Sequence, residues 1–108
     1  VADYHCGMCV TVPLYADKIK GTPAPAAIRE FYRDFYAGAK FISVDGEERS
    51  FLDAARLAGT NRMEIFVGGN EEQILLCSRF DNLGKGASGA AVQNMNIALG
   101  LEEDAFLK

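Results

Sequence analysis

Two apolar β-type runs, Met63–Val67 and Gln73–Phe80, flank Gly68-Gly69-Asn70. No other stretch constrains the fold as tightly. Runs of that length separated by a glycine pair read as one antiparallel hairpin, with the glycines supplying the positive φ of a tight turn. Gly7–Tyr15 predicts a further strand, in which Met8, Val10, Val12 and Leu14 alternate with Cys9, Thr11 and Tyr15. Pro13 cannot donate to a ladder, so this strand belongs at a sheet edge or near its own end. Phe41-Ile42-Ser43-Val44, ahead of the Asp45-Gly46 turn, predicts a short additional strand.

Two helices complete the pattern. Thr22 is the expected N-cap of the first, with Pro23 at its first position and Pro25 still in the first turn. Ile28, Phe31, Tyr32, Phe35 and Tyr36 recur at helical spacing as one aromatic stripe, which leaves Arg29, Glu30, Arg33 and Asp34 for water. Gly38 ends that helix. From Glu47 to Asn61 the pattern is irregular, with about one turn of helix around Leu52–Arg56, and reads as a loop that could reach a partner surface. The last helix is expected from about Leu83 to Leu99, closed by Gly100 in the αL conformation with Leu101 as the following hydrophobic contact. Hairpin-paired strands with one early and one late helix predict an α+β domain with a mixed or antiparallel sheet.

At 108 residues, with 49% apolar and 24% charged residues, the chain reads as one soluble globular domain over 1–108. A net charge of -4 argues against a nucleic-acid or anionic-membrane surface, which would need clustered Lys and Arg. No apolar run approaches the ~18 residues of a membrane span. Three cysteines, an odd number, fit a reducing cytoplasm better than a secreted disulfide framework. The first residue is Val1, and a β-like segment begins almost at once, so the expectation is a piece of something longer or a processed chain.

Gly84, Gly86 and Gly89 spell G-x-G-x-x-G after a strand and before a helix. That fingerprint binds a pyrophosphate only as the first turn of a βαβ unit, with a return strand and an acidic residue about 20 positions on. Only 19 residues follow Gly89, too few for the rest of the helix and another strand. The glycines therefore need another role. Small residues at Gly86, Ala87, Gly89, Ala90 and Ala91 let another backbone or a ligand come close, at a helix-propensity cost of up to about 1 kcal/mol per glycine.

Other constellations have plainer readings. Cys6 and Cys9 have C-x-x-C spacing, but they open a strand rather than a helix and lack a set of four metal ligands, so they read as structural. His5 is the only histidine and points away from Cys6 on extended backbone, which makes it a surface or hinge residue. Glu47-Glu48 and Glu71-Glu72 read as solvated turns. Gln93, Asn94 and Asn96 crowd amides onto the last helix. These serve either tertiary hydrogen bonds into neighbouring loops or a site that wants neutral hydrogen bonders.

The run Asp81–Asn96, continuing to Leu99-Gly100-Leu101, resembles the C-terminal helix signature of the N-acetyl-γ-glutamyl-phosphate reductases, D-N-L-x-K-G-A-x-x-x-A-x-Q-x-x-N. Gly7–Leu14, Phe31–Tyr36 and Gly59-Thr60-Asn61 fall in the same order as in that family, so the likeness spans nearly the whole chain. It implies a fold like the C-terminal domain of glyceraldehyde-3-phosphate and semialdehyde dehydrogenases. It also implies an N-terminal Rossmann domain that holds NADP, and a cytoplasmic homo-oligomer that reduces an acyl phosphate through a thioacyl-enzyme for arginine biosynthesis.

By the same resemblance the small residues from Gly84 to Ala91 lie against that Rossmann domain. Asn82, Lys85 and Gly86 are the expected cofactor-binding residues, facing the active-site cleft. The family's Asn-Pro-Gly-Cys and Gly-His-Arg-His segments do not occur here, and Cys6 stands where relatives commonly carry Arg. The resemblance therefore implies that the catalytic cysteine and histidine lie upstream of Val1, that no catalytic residue lies in this chain, and that the chain alone is inactive. Kindred alternatives act on aspartyl phosphate or a carrier-linked acyl phosphate. A different kind of alternative is a stand-alone interaction module without catalysis.

Overall fold

The computed structural model describes residues 2–46 and 50–108. Its strands are β1 (Met8–Tyr15), β2 (Ile42–Val44), β3 (Met63–Gly69) and β4 (Gln73–Phe80), and its helices are α1 (Pro25–Phe35) and α2 (Gly89–Ala98). They form one mixed sheet in the order β1-β4-β3-β2, antiparallel except where β2 runs parallel to β3. The α+β expectation holds, and β1 with its Pro13 occupies an edge. Gly69 adopts φ +101°, and Asn70 Oδ1 accepts from the N–H groups of Glu72 and Gln73, both at 2.9 Å, which closes the hairpin.

α1 begins later than the Thr22 cap predicts. Ala24 is extended at ψ 157°, as the residue before a proline must be, so the first helical position is Pro25 and no side chain caps the helix. Thr22 instead takes a positive φ of 43° in the preceding turn. The aromatic stripe also divides. Ile28 and Tyr32 pack on the core, while Phe31 and Phe35 stay largely exposed and stack on each other at 6.2 Å. Arg29, expected in water, instead donates from Nη2 to the carbonyl of Val67 at 2.7 Å and pins α1 to β3.

The core under α1 is small. Ala16, Val67 and Ile74 are its buried centre, with Leu14, Ile19, Ile28, Tyr32 and Leu76 around them. Ile74→Val, which removes one methyl group from a fully buried site, should cost about 1 kcal/mol in urea unfolding with an unchanged m-value. α1 lies over β2 and β3, so Val10 and Val12 on β1 remain 41% and 46% exposed. The opposite face carries Cys9, Thr11, Leu75, Cys77, Arg79, Glu64 and Phe66, partly covered by the segment after Ser50. The helical turn expected at Leu52–Arg56 is a series of turns, and Glu47-Glu48 lie outside the described residues.

The molecule is a slab of 42 × 35 × 21 Å with a radius of gyration of 15.2 Å. A compact domain of this length has a radius of gyration near ~13 Å. Two layers account for the thickness, and much apolar surface is left uncovered.

Candidate functional site

At the end of β4 the chain turns into the last helix through Asp81, which is 3% exposed. Its Oδ1 accepts from the N–H groups of Leu83 (2.8 Å) and Gly84 (3.1 Å), and its Oδ2 accepts from the N–H of Gly59 (2.6 Å). Those hydrogen bonds, that of Gly59 foremost, hold the Asp81 carboxyl below the usual carboxylate range against the opposing effect of burial, and the Cys6 thiol adds to them. One carboxylate thus ties together the start of the last helix and the 59–61 loop. Asp81 was not among the predicted residues. The available signal was an aspartate just ahead of a helix, where its oxygens satisfy orphan N–H groups.

The helix predicted from Leu83 opens differently. Gly84–Ser88 form a π-helical turn, with the Gly86 N–H bonded to Asp81 O at 2.8 Å and the Ser88 N–H to Leu83 O at 3.3 Å, and α2 follows. The wide turn lets the 59–61 loop approach. A Cβ on Gly84 would lie 2.7 Å from the Thr60 carbonyl oxygen, and one on Gly89 would lie 2.3 Å from Asn61 Oδ1. These two glycines therefore serve the chain's own loop, which corrects the expectation that they are small for a neighbouring domain. Gly86 sits over the Phe80 ring, with its would-be Cβ 3.1 Å away. The outward edge at Gly86, Ala87, Ser88 and Ala91 is exposed.

The three predicted cofactor residues have different surroundings. Asn82 Oδ1 accepts from the Gly7 N–H at 2.8 Å, and among the described residues its Nδ2 has no acceptor. That bond holds the start of β1, where Gly7 at φ +124° passes so close to Ala54 that a Cβ would lie 2.5 Å from its carbonyl oxygen. Lys85 extends over the Phe41 ring, 5.7 Å from its centroid, and donates to Gln93 Oε1 at 2.5 Å. Desolvation pushes the Lys85 ammonium below its ordinary value, while the charge of Glu103 opposes that shift. The Gly86 N–H is spent inside the π turn. A hollow of about 420 Å³ adjoins the turn, lined by Asn61, Leu83, Gly84, Ser88, Gly89 and Phe106, with none of the three predicted residues on its wall.

The amides of the last helix do tertiary work. Asn96, 1% exposed, donates from Nδ2 to the carbonyls of Glu103 (3.2 Å) and Ala105 (2.9 Å), and Gln93 Nε2 donates to Glu103 Oε1 at 2.6 Å. Gly100 takes φ +69°, and the Leu101 N–H reaches Asn96 O at 2.9 Å, so the 101–108 tail folds back along α2. Lys40 clasps that tail through Glu102 (3.1 Å) and Asp104 (2.8 Å), and the Asn61 N–H bonds Lys108 O at 2.7 Å. Asn94 is exposed.

The cysteines are all free thiols. Cys9 is a diagonal neighbour of Cys77 on the same face of β1 and β4, and its thiol is pushed up first by burial and then by Cys77. His5 is exposed, as are Glu71 and Glu72. Among the described residues, no three His, Cys, Asp or Glu side chains converge as a metal site. No helix formed by them is long and apolar enough to cross a membrane.

Comparison with known proteins agrees with this architecture. Residues 1–82 match the family model described as semialdehyde dehydrogenase, dimerisation domain. An N-acetyl-gamma-glutamyl-phosphate reductase 2 of Nostoc sp. is 42% identical over 99% of this chain and 36% of its own length. An N-acetyl-gamma-glutamyl-phosphate reductase of Brucella ovis is 45% identical over 93% of this chain and 34% of its own length. The chain thus spans about a third of the length of the curated relatives it matches. With a four-stranded mixed sheet, two helices and a family match over most of its length, the chain belongs to the semialdehyde dehydrogenase dimerisation-domain family.

Proposed function

We propose that this chain is the C-terminal, assembly-forming part of an NADP-dependent cytoplasmic reductase that converts N-acetyl-γ-glutamyl phosphate to the corresponding semialdehyde. The observation that carries this reading is the identity of 42% to 45%, sustained across nearly the whole chain, with relatives that bear that enzyme's name. The thin slab and its uncovered apolar residues agree, because Val10 and Val12 on β1, Met95 and Ile97 on α2 and Leu99 just after it need partners to leave water. A second copy over the β1 half of the sheet and a nucleotide-holding Rossmann domain against α2 would supply them.

Two of the three expected cofactor-side residues suit that role. Asn82 Nδ2 and Lys85 Nζ are donors on the rim of the π turn, fit for an amide or phosphate oxygen of NADPH. Gly86 contributes close approach only, since its N–H is already bonded. NADPH, when bound, supplies the hydride. This chain's residues orient and desolvate, while a cysteine nucleophile and a histidine acid/base must come from elsewhere in the longer protein.

A polypeptide that carries this chain behind its natural upstream sequence should oxidise NADPH when N-acetyl-γ-glutamyl phosphate is added, followed by nicotinamide absorbance. The 108-residue chain alone should give no turnover. A longer polypeptide that is folded yet inert toward that acyl phosphate contradicts the reading.

A further inference from the structure

Lys85 has unusual company for a half-buried cation. Among the described residues no carboxylate forms an ion pair with it, although Glu103 lies close by. Between them stands Gln93, whose Oε1 accepts from Lys85 Nζ at 2.5 Å and from Asn61 Nδ2 at 3.1 Å, while its Nε2 donates to Glu103 Oε1 at 2.6 Å. The amide cannot reverse, because its oxygen would then face a carboxylate and its NH2 would face two donors.

Every neighbour of that amide is itself held. Asn61 is 3% exposed and its N–H is bonded to Lys108 O, and the backbone around Glu103 hangs from Asn96. The buried Phe41 ring beneath the ammonium favours a cation without neutralising it. A carboxylate held one amide away supplies long-range attraction but leaves the last contact to an incoming group.

We infer that Gln93, clamped by Glu103 and Asn61, is a positioning residue that keeps the Lys85 ammonium over Phe41 and free of carboxylate contact, ready for a phosphate-type anion. This deepens the proposed reductase reading, in which such an anion comes from a nucleotide or from an acyl phosphate, but its test does not need turnover.

The test follows the Lys85 side-chain methylene resonances of this chain during titrations with pH and with inorganic phosphate. Wild type should show a saturable phosphate shift at Lys85. Gln93→Glu combined with Glu103→Gln, nearly the same in shape, places a carboxylate in contact with Lys85 and leaves an amide rather than a second carboxylate facing it. It should raise the Lys85 titration midpoint by about one unit and weaken phosphate binding about tenfold. Glu103→Gln keeps an acceptor for Gln93 Nε2 and should retain phosphate binding, the conservative rescue expected of a positioning role.

Circular dichroism establishes that each variant is folded. Substitution of NADP+ or acetyl phosphate for inorganic phosphate tells which source Lys85 prefers. A Gln93→Glu, Glu103→Gln double variant that loses thermal stability but leaves both Lys85 titrations at wild-type values would overturn the inference, as would a wild-type Lys85 that ignores phosphate. Failure of the longer protein to reduce its acyl phosphate would sink the reductase reading and leave these results standing.

Discussion

Replacing Asp81 by asparagine should cost about 3 kcal/mol at neutral pH, a fall in Tm on the order of 15 °C for a domain of this size. The carboxylate accepts from Gly59 on one oxygen and from Leu83 and Gly84 on the other. Asparagine keeps only one acceptor oxygen. Whichever way the amide turns, its NH2 meets a backbone donor, so at least one buried N–H is left unpaired. The variant should also change the response to acid. Asp81 titrates lower in the folded chain than in the unfolded chain, so its contribution is fully present above the unfolded carboxylate range and is lost as pH falls through the depressed folded value. The difference between wild type and Asp81→Asn should therefore be largest at neutral pH and shrink below about pH 4. Urea unfolding at several pH values checks both parts, and a difference that does not change with pH would show that the charge of Asp81 is not what binds the junction.

The second large effect is expected on the opposite sheet face. Arg79, with a side chain 5% exposed, is bonded to Glu64 through Nε at 3.0 Å and through Nη2. Its Nη1 donates to the Asp53 carbonyl at 3.0 Å, and the guanidinium lies 5.0 Å from the Phe66 ring centroid. Glu64→Leu strands that cation in a dry site and should cost about 3 to 5 kcal/mol. Replacing both partners, Glu64→Leu with Arg79→Leu, should recover most of the loss, because the desolvation penalty disappears along with the attraction. A double variant as unstable as the single one would show that the Asp53 and Phe66 contacts of Arg79 matter more than its charge pairing.

Much of this fold was legible in local patterns. The hairpin, the edge position of β1 and the αL close at Gly100 each rest on steric rules that act over a few residues: positive φ, a missing N–H, a C-terminal cap. The Thr22 cap failed because Pro25 imposes extended backbone on Ala24, which then takes the cap position, a stronger constraint than a hydroxyl cap worth about 1 kcal/mol. Arg29 was assigned to solvent by periodicity, but a guanidinium one step off the buried stripe can still reach a strand carbonyl, and periodicity does not weigh that reach.

The candidate site was legible as chemistry more than as geometry. Asn82, Lys85 and Gly86 were expected from the family resemblance alone, and nothing local showed that the Gly86 N–H closes a π turn or that Gly84 and Gly89 are small for the chain's own 59–61 loop. That contact joins segments more than twenty residues apart. The Glu64–Arg79 pairing was recoverable, because the hairpin register makes them cross-strand partners. Burial of the pair depends on the segment after Ser50, whose path no short-range rule sets.

The proposed reductase reading requires that the uncovered slab and its small-residue rim be part of a longer polypeptide with a nucleotide-holding domain. The most direct measurement is the coding sequence read upstream of the Val1 codon. That upstream frame should stay open and encode a strand, a glycine-rich turn and a helix, followed by a cysteine and a histidine able to act on an acyl phosphate. An initiator codon immediately ahead of Val1, preceded by a stop, would contradict it.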